Sequence, residues 1–158
     1  MNVKIRIAAK RNKLKKFCNI FLIGFAVLAV KAQAEDATVL RLVQTIPLPN
    51  VEGRIDHMAV DLKGERLFVA ALGNNTMEVL DLRAGRHIRS ITGLHEPQGI
   101  GFIPELNKIF IANAKGGACD VFDGLSLKVI KTVKFSDDAD NIRYDATAHR
   151  VYVGYGNG

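Results

Sequence analysis

Lys108-Ile109-Phe110-Ile111-Ala112-Asn113, with Gly99-Ile100-Gly101-Phe102-Ile103 before it and Cys119-Asp120-Val121-Phe122-Asp123 after it, is the stretch that decides the architecture. Its apolar positions recur on both sides at a spacing of 42 residues with no gap. Met58, Ile100 and Ile142 form one such set, as do Val60, Phe102 and Tyr144, and again Phe68, Phe110 and Tyr152. Val79 pairs in the same way with Val121, Asp81 with Asp123, and Ile88 with Ile130. Short alternating or apolar runs separated by turn residues read as strands. A period in the low forties built from such strands is the pattern of propeller blades. The expected fold is all-β, a partial β-propeller of about two and a half four-stranded antiparallel blades following a targeting segment.

The unit around Lys108–Asn113 assigns each strand a place. Gly99–Ile103 alternates small and large residues, as an innermost strand near a crowded axis requires. Pro104-Glu105-Leu106-Asn107 turns the chain. The nearly continuous apolar run 108–113 fits burial on both faces. Gly116-Gly117 permits a tight hairpin, and Asp123 is suited to capping the turn that starts at Gly124. The fourth strand, Lys128–Lys134, spaces lysines along an outer edge, which protects against unwanted pairing. Arg86, Arg89, Lys128 and Lys131 therefore read as solvated edge charges, and so do the residues opening each second strand, Arg66, Lys108 and Arg150. Cys119 stands 42 residues after Met77, where the repeat calls for a packing side chain and not a nucleophile.

Outward from the repeats, residues 1–16 hold seven basic residues and no acidic one. An apolar run from Phe17 to Val30 follows, and then Ala32-Gln33-Ala34. This is the layout of a secretory signal peptide cut before Glu35. The run is short for a spanning helix, so no membrane span is expected after cleavage, and the location would be periplasmic or secreted. Eight of the 22 basic residues and none of the 16 acidic ones lie in residues 1–34, leaving 14 basic against 16 acidic. The chain's basic balance belongs to its leader, which makes nucleic-acid binding an unlikely role for the mature part. The expected organisation is a signal peptide over 1–34, a latch strand within 35–50, and repeat units over 51–95, 96–137 and 138–158. Two and a half units fall short of the 4–8 blades of a closed ring. The expectation is a segment of a longer propeller, with ring completion by a second chain as the weaker alternative.

The second strands read Phe68-Val69-Ala70-Ala71, Phe110-Ile111-Ala112-Asn113 and Tyr152-Val153-Gly154-Tyr155, with Met77-Glu78-Val79-Leu80-Asp81-Leu82 and Gly85-Arg86-His87-Ile88 supplying a third and a fourth. Over residues 38–158 the chain resembles the YVTN-repeat β-propeller family of secreted and periplasmic bacterial proteins. The resemblance implies a ring of about seven blades and little about chemistry, since no residue of the motif is catalytic.

Propeller ligands meet the loops at one mouth of the central channel. There the three units carry Arg54-Ile55-Asp56-His57, Glu96-Pro97-Gln98-Gly99 and Asp138-Ala139-Asp140-Asn141. Asp56, His57, Gln98, Asp140, Asn141 and Arg143 are the candidate ligand-binding residues, polar groups able to orient a polar ligand or a cation. The competing reading has them capping backbone and facing channel water, with Arg143 paired to Asp140 or Asp145. No residue is assigned a catalytic or metal-binding role, and no cofactor is named. Nucleophile elbows, phosphate loops and CxxC motifs are absent from the sequence. The expected function is a non-catalytic scaffold for an unknown small molecule or protein at the channel mouth. The alternative is a lactonase-like hydrolase or a quinoprotein dehydrogenase-type oxidoreductase subunit using the same site.

Overall fold

The computed structural model describes residues 2–7 and 41–156. The expected signal peptide and the start of the latch segment lie mostly outside the described residues. Two compact units are present. The smaller, residues 4–44, contains most of a two-stranded sheet made by β1 (Asn2–Ile7) and β2 (Arg41–Pro47).

The larger unit runs from Thr45 and is built from β3 (Met58–Asp61), β4 (Arg66–Ala71), β5 (Thr76–Asp81) and β6 (Arg86–Ile91), then β7 (Pro97–Ile103), β8 (Lys108–Asn113), β9 (Ala118–Asp123) and β10 (Val129–Lys134), and finally β11 (Ala139–Asp145) and β12 (Arg150–Tyr155). The first eight form two four-stranded antiparallel meanders, and β11 and β12 form a hairpin. Helical structure among the described residues is confined to the single 3₁₀ turns Leu72–Asn74 and Pro104–Leu106. The second sheet follows the sequence reading closely: its first and third strands begin slightly earlier than expected, and its second spans 108–113.

The 42-residue step governs details beyond strand positions. Glu65, Asn107 and His149, each closing the first hairpin of its unit, all take left-handed φ values of 47–53°. In the first two units this residue's carbonyl accepts from the residue after the third strand, Leu82 N at 2.8 Å and Gly124 N at 2.7 Å. Register slips between Val79 and Leu80 against β6, and at the equivalent place where β10 meets β9, leaving Ile88 and Ile130 as outer-strand bulge residues. Such bulges twist an exposed edge away from partners. The side-chain rule for β10 holds as well, since every residue of this strand is exposed. The Asp123 turn is capped as expected: its Oδ1 accepts from Ser126 N at 2.7 Å and Ser126 Oγ at 2.8 Å. These bonds hold its carboxyl below the ordinary range.

Strand alternation gives each blade two different faces. Phe68, Ala70, Met77 and Val79 of the first blade face the second, where Ile109, Ile111 and Phe122 meet them in one buried cluster. On the opposite face of the second blade, Ala112 and Cys119 bury against Ala139 and Ile142, with Phe110, Phe135, Val151 and Val153 packed around them. The seams repeat around an axis: β3 and β4 lie against β7, and β11 lies against β7 and β8. Glycine is required where the innermost strands converge. A Cβ on Gly99 would meet the Asp140 carbonyl oxygen at 2.3 Å. Cys119 is a free buried thiol, pushed up to about 11 by burial and then by the charge of Asp120, consistent with a packing role.

Candidate functional site

The segments preceding the innermost strands are placed by backbone bonding. Asp56 N donates to Ala70 O at 2.9 Å, Ala70 N to His57 O at 2.9 Å, and Gly73 N to Arg54 O at 3.0 Å. Residues 54–57 thus extend the line of β3 beside β4. Ala114 N bonds Glu96 O at 3.1 Å, and Gly156 N bonds Asp138 O at 2.7 Å, an equivalent anchor in each later unit. The segments also touch in series. His57 N reaches Gln98 O at 3.4 Å, and Gly99 lies under the Asp140–Asn141 backbone. The candidate residues therefore form an arc along one end of the three innermost strands.

Charge on this arc is mostly negative. Arg54 Nη2 pairs with Asp56 Oδ2, and Asp140 adds a further attraction to the same guanidinium. His57 Nδ1 lies 3.1 Å from Asp56 Oδ1 at an angle that makes no hydrogen bond, and it is left without a partner. Asp138 has a buried Oδ1 with no partner. Burial, then the charges of Asp140, Asp137 and Glu96, push its carboxyl above the ordinary range. Arg143 is held locally: its Nη1 donates to Asn141 Oδ1 and to Ile142 O at 2.8 Å, not to the two aspartates expected. Among the described residues no three His, Cys, Asp or Glu side chains are grouped so as to hold a metal ion. The arc can attract a positively charged or hydrogen-bond-donating group, with Asp56, Asp138 and Asp140 as its acceptors.

Two clusters escape the sequence reading. Glu78, fully buried on β5, accepts from Thr76 Oγ1 through one oxygen. Through the other it meets His87 Nε2 at 2.7 Å and Ser90 Oγ at 2.6 Å on β6. In the second blade Asp120 takes the same place, with Thr132 Oγ1 at 2.5 Å and Asn113 Nδ2 at 2.8 Å. A carboxylate on the third strand thus fixes a hydroxyl on the outer strand twice, 42 residues apart. The recurrence of Glu78 with Asp120 and of Ser90 with Thr132 was the available signal.

The second cluster corrects the reading of Arg66 as a solvated edge charge. Its Nε and Nη2 converge on Asp61 Oδ2 at 3.0 and 2.7 Å, and Nη1 donates to Gly124 O of the second blade at 2.6 Å. The guanidinium lies 5.1 Å from the Phe68 ring centroid and 6.0 Å from that of Phe102. Arg66 is a staple between blades at the end of the seam remote from the arc. Burial pushes the Asp61 carboxyl up, but the Gly64 N–H, Arg66 and the Lys63 N–H together hold it below the ordinary range.

No family model and no curated protein matches the chain. Solved structures do. A chain of Kuenenia stuttgartiensis hydrazine synthase superimposes with a TM-score of 0.61 at 18% identity, covering 68% of this chain and 30% of that one. Apo AztD from Citrobacter koseri superimposes with a TM-score of 0.52, also at 18% identity, covering 67% of this chain and 28% of that one. Both neighbours are propeller-type proteins, and at such identity the likeness establishes the fold alone. This chain spans less than a third of either neighbour's length. The architecture is a partial β-propeller of antiparallel four-stranded blades.

Proposed function

We propose that the chain belongs to a secreted or periplasmic β-propeller of the YVTN-repeat kind. In this reading it is a non-catalytic scaffold that binds the positively charged part of a small molecule or protein at the acidic arc. The observation that carries the reading is the crowding of carboxylates around Asp138. A carboxyl raised by burial and by three like charges is a place where an incoming cation is favoured. The basic and apolar leader, with Ala32-Gln33-Ala34 at its end, supports export and the domain division at residue 34. The third-strand and second-strand patterns support the repeat assignment.

Binding is tested with trilysine as the probe, followed by calorimetry at low and moderate salt. Saturable binding that weakens with salt, and that is lost when Asp138 and Asp140 are both replaced by Asn, is the expected result. Unchanged affinity in the double variant would remove the arc from consideration. Export is tested separately, by N-terminal sequencing of the chain recovered from the periplasm. A mature start at Glu35 is expected, and retention of residue 1 in the cytoplasm would overturn the localisation.

A further inference from the structure

A cavity of about 290 Å³ lies in the seam between the second blade and the β11–β12 hairpin. Six of its lining residues are Phe110, Cys119, Val121, Val133, Val151 and Val153. Each stands 42 positions after a residue of the first seam: Phe68, Met77, Val79, Ile91, Ile109 and Ile111. All six of those belong to, or pack on, the buried cluster that Phe122 completes. The cavity is therefore the repeat equivalent of the slot that Phe122 fills one blade earlier. Phe135, the remaining lining residue, stacks on Tyr155 at 4.8 Å, placing an aromatic pair beside it.

The same seam carries an unpaired strand edge. Among the described residues β12 is hydrogen-bonded to β11 alone, whereas β4 and β8, its equivalents, each have a strand on both sides. The first seam shows what chemistry completes such a site. Across from Ile109 and Ile111 of β8 stand Phe122 and Asp120 of β9. Across from Leu67 and Val69 of β4 stand Leu80 and Glu78 of β5. Both complete blades thus use carboxylate–x–large apolar, with the apolar side chain opposite the first of the two aliphatic residues.

From this continuity with the first seam we infer that β12 and the adjoining cavity form an acceptor for an extended polypeptide partner. The partner strand adds antiparallel to β12. It places a phenylalanine or leucine opposite Val151, inside the cavity, and an acidic residue two positions earlier, opposite Val153. Main-chain bonds to the β12 edge supply affinity, and the cavity supplies side-chain selection, as in other strand-addition sites. The acceptor is separate from the arc of acidic residues and does not depend on it.

The test uses the whole chain and a fluorescein-labelled peptide, Gly-Ala-Ser-Asp-Val-Phe-Asp-Gly, which copies residues 117–124 with Ser in place of Cys119. Saturable anisotropy change is expected, competed by unlabelled peptide and weakened about tenfold or more when the peptide's Phe is replaced by Ala. Amide exchange at Val151, Tyr152 and Val153 should slow on binding, while exchange in β6 and β10 stays unchanged. The inference fails if a chain with native circular dichroism shows no saturable binding, or if Phe and Ala peptides bind alike. It also fails if protection appears instead at the β6 or β10 edge. A self-associated chain that excess peptide does not dissociate would assign the edge to a second copy and overturn the proposal.

Discussion

The seam between the first two blades and the seam that follows it are made from the same positions of the same repeat, yet they differ in closure. In the first, Phe122 is 2% exposed and joins both blades in one cluster. In the second, the corresponding volume is a cavity, and the outward-facing aromatics of β12, Tyr152 and Tyr155, are 51% and 55% exposed. A blade face is apolar whether or not it is covered, because the pattern that makes it is set within each unit. Coverage is what converts that apolar area into stability. The larger consequence is that equivalent substitutions should have unequal effects in the two seams.

The greatest difference is expected for aromatic truncation. Phe122→Ala should cost about 3–5 kcal/mol, the range for a phenylalanine removed from a closed core. Phe135→Ala, at the open seam, should cost about 1 kcal/mol, because that ring is only partly desolvated already. Urea unfolding of both variants gives the comparison directly. Equal losses would mean that the second seam is as well packed as the first.

The buried carboxylates offer a narrower contrast. Glu78→Gln replaces an acceptor-only group by an amide facing three donors, and should cost about 1–3 kcal/mol. Asp120→Asn should cost less, about 1 kcal/mol, since its Thr132 partner is solvent-exposed and Asn113 can be met by the new amide oxygen. Differential scanning calorimetry of the pair measures this. A larger loss at Asp120 would reverse the assignment of Glu78 as the more deeply committed group.

Arg66 sharpens the first seam at its other end. Arg66→Lys keeps charge but cannot reach Asp61 and Gly124 together, and a loss of about 1–2 kcal/mol is expected at neutral pH. The sign of its pH dependence follows from Asp61. A carboxyl held below its ordinary value adds stability that is complete above the unfolded-state value and disappears as pH falls through the lower folded one. Wild type and variant should therefore converge in acid. A gap that persists below that range would assign the loss to packing on Phe68 and Phe102.

These contrasts also mark what was legible beforehand. Strand order, hairpin turns and the exposed outer edge follow from spacing alone, because they depend on local pattern and the 42-residue step. The acidic arc was located, since the three segments before the innermost strands are found by the same step. Its internal pairing was not: Arg143 turns to Asn141 and the Ile142 carbonyl, a choice set by side-chain reach that no spacing encodes. Arg66 was misread for a related reason. Exposure was inferred from its place at the start of a strand, whereas its partner Gly124 lies 58 residues away in the next blade.

The smallest effect, and the one of opposite sign, belongs to Asp138 at the head of the second seam. Its raised carboxyl means that the folded chain binds the proton more tightly than the unfolded chain does. The group's contribution to stability therefore declines as pH rises from the ordinary carboxylate value through the raised one. Above that window it is a fixed penalty, which Asp138→Asn removes. The variant should gain stability at neutral pH by about 0.5 kcal/mol or less, in keeping with a partly solvated position. The gain should vanish in acid, where wild type carries the proton already. Glu96→Gln, 42 residues earlier on an exposed side chain, removes one of the charges that crowd Asp138 and should yield a fraction of the same gain. The same Asp138 substitution should weaken trilysine binding, so a variant more stable yet poorer in binding is the joint outcome expected. Stabilisation without loss of binding would leave Asp138 as a strained structural carboxyl and move the cation's acceptors to Asp56 and Asp140.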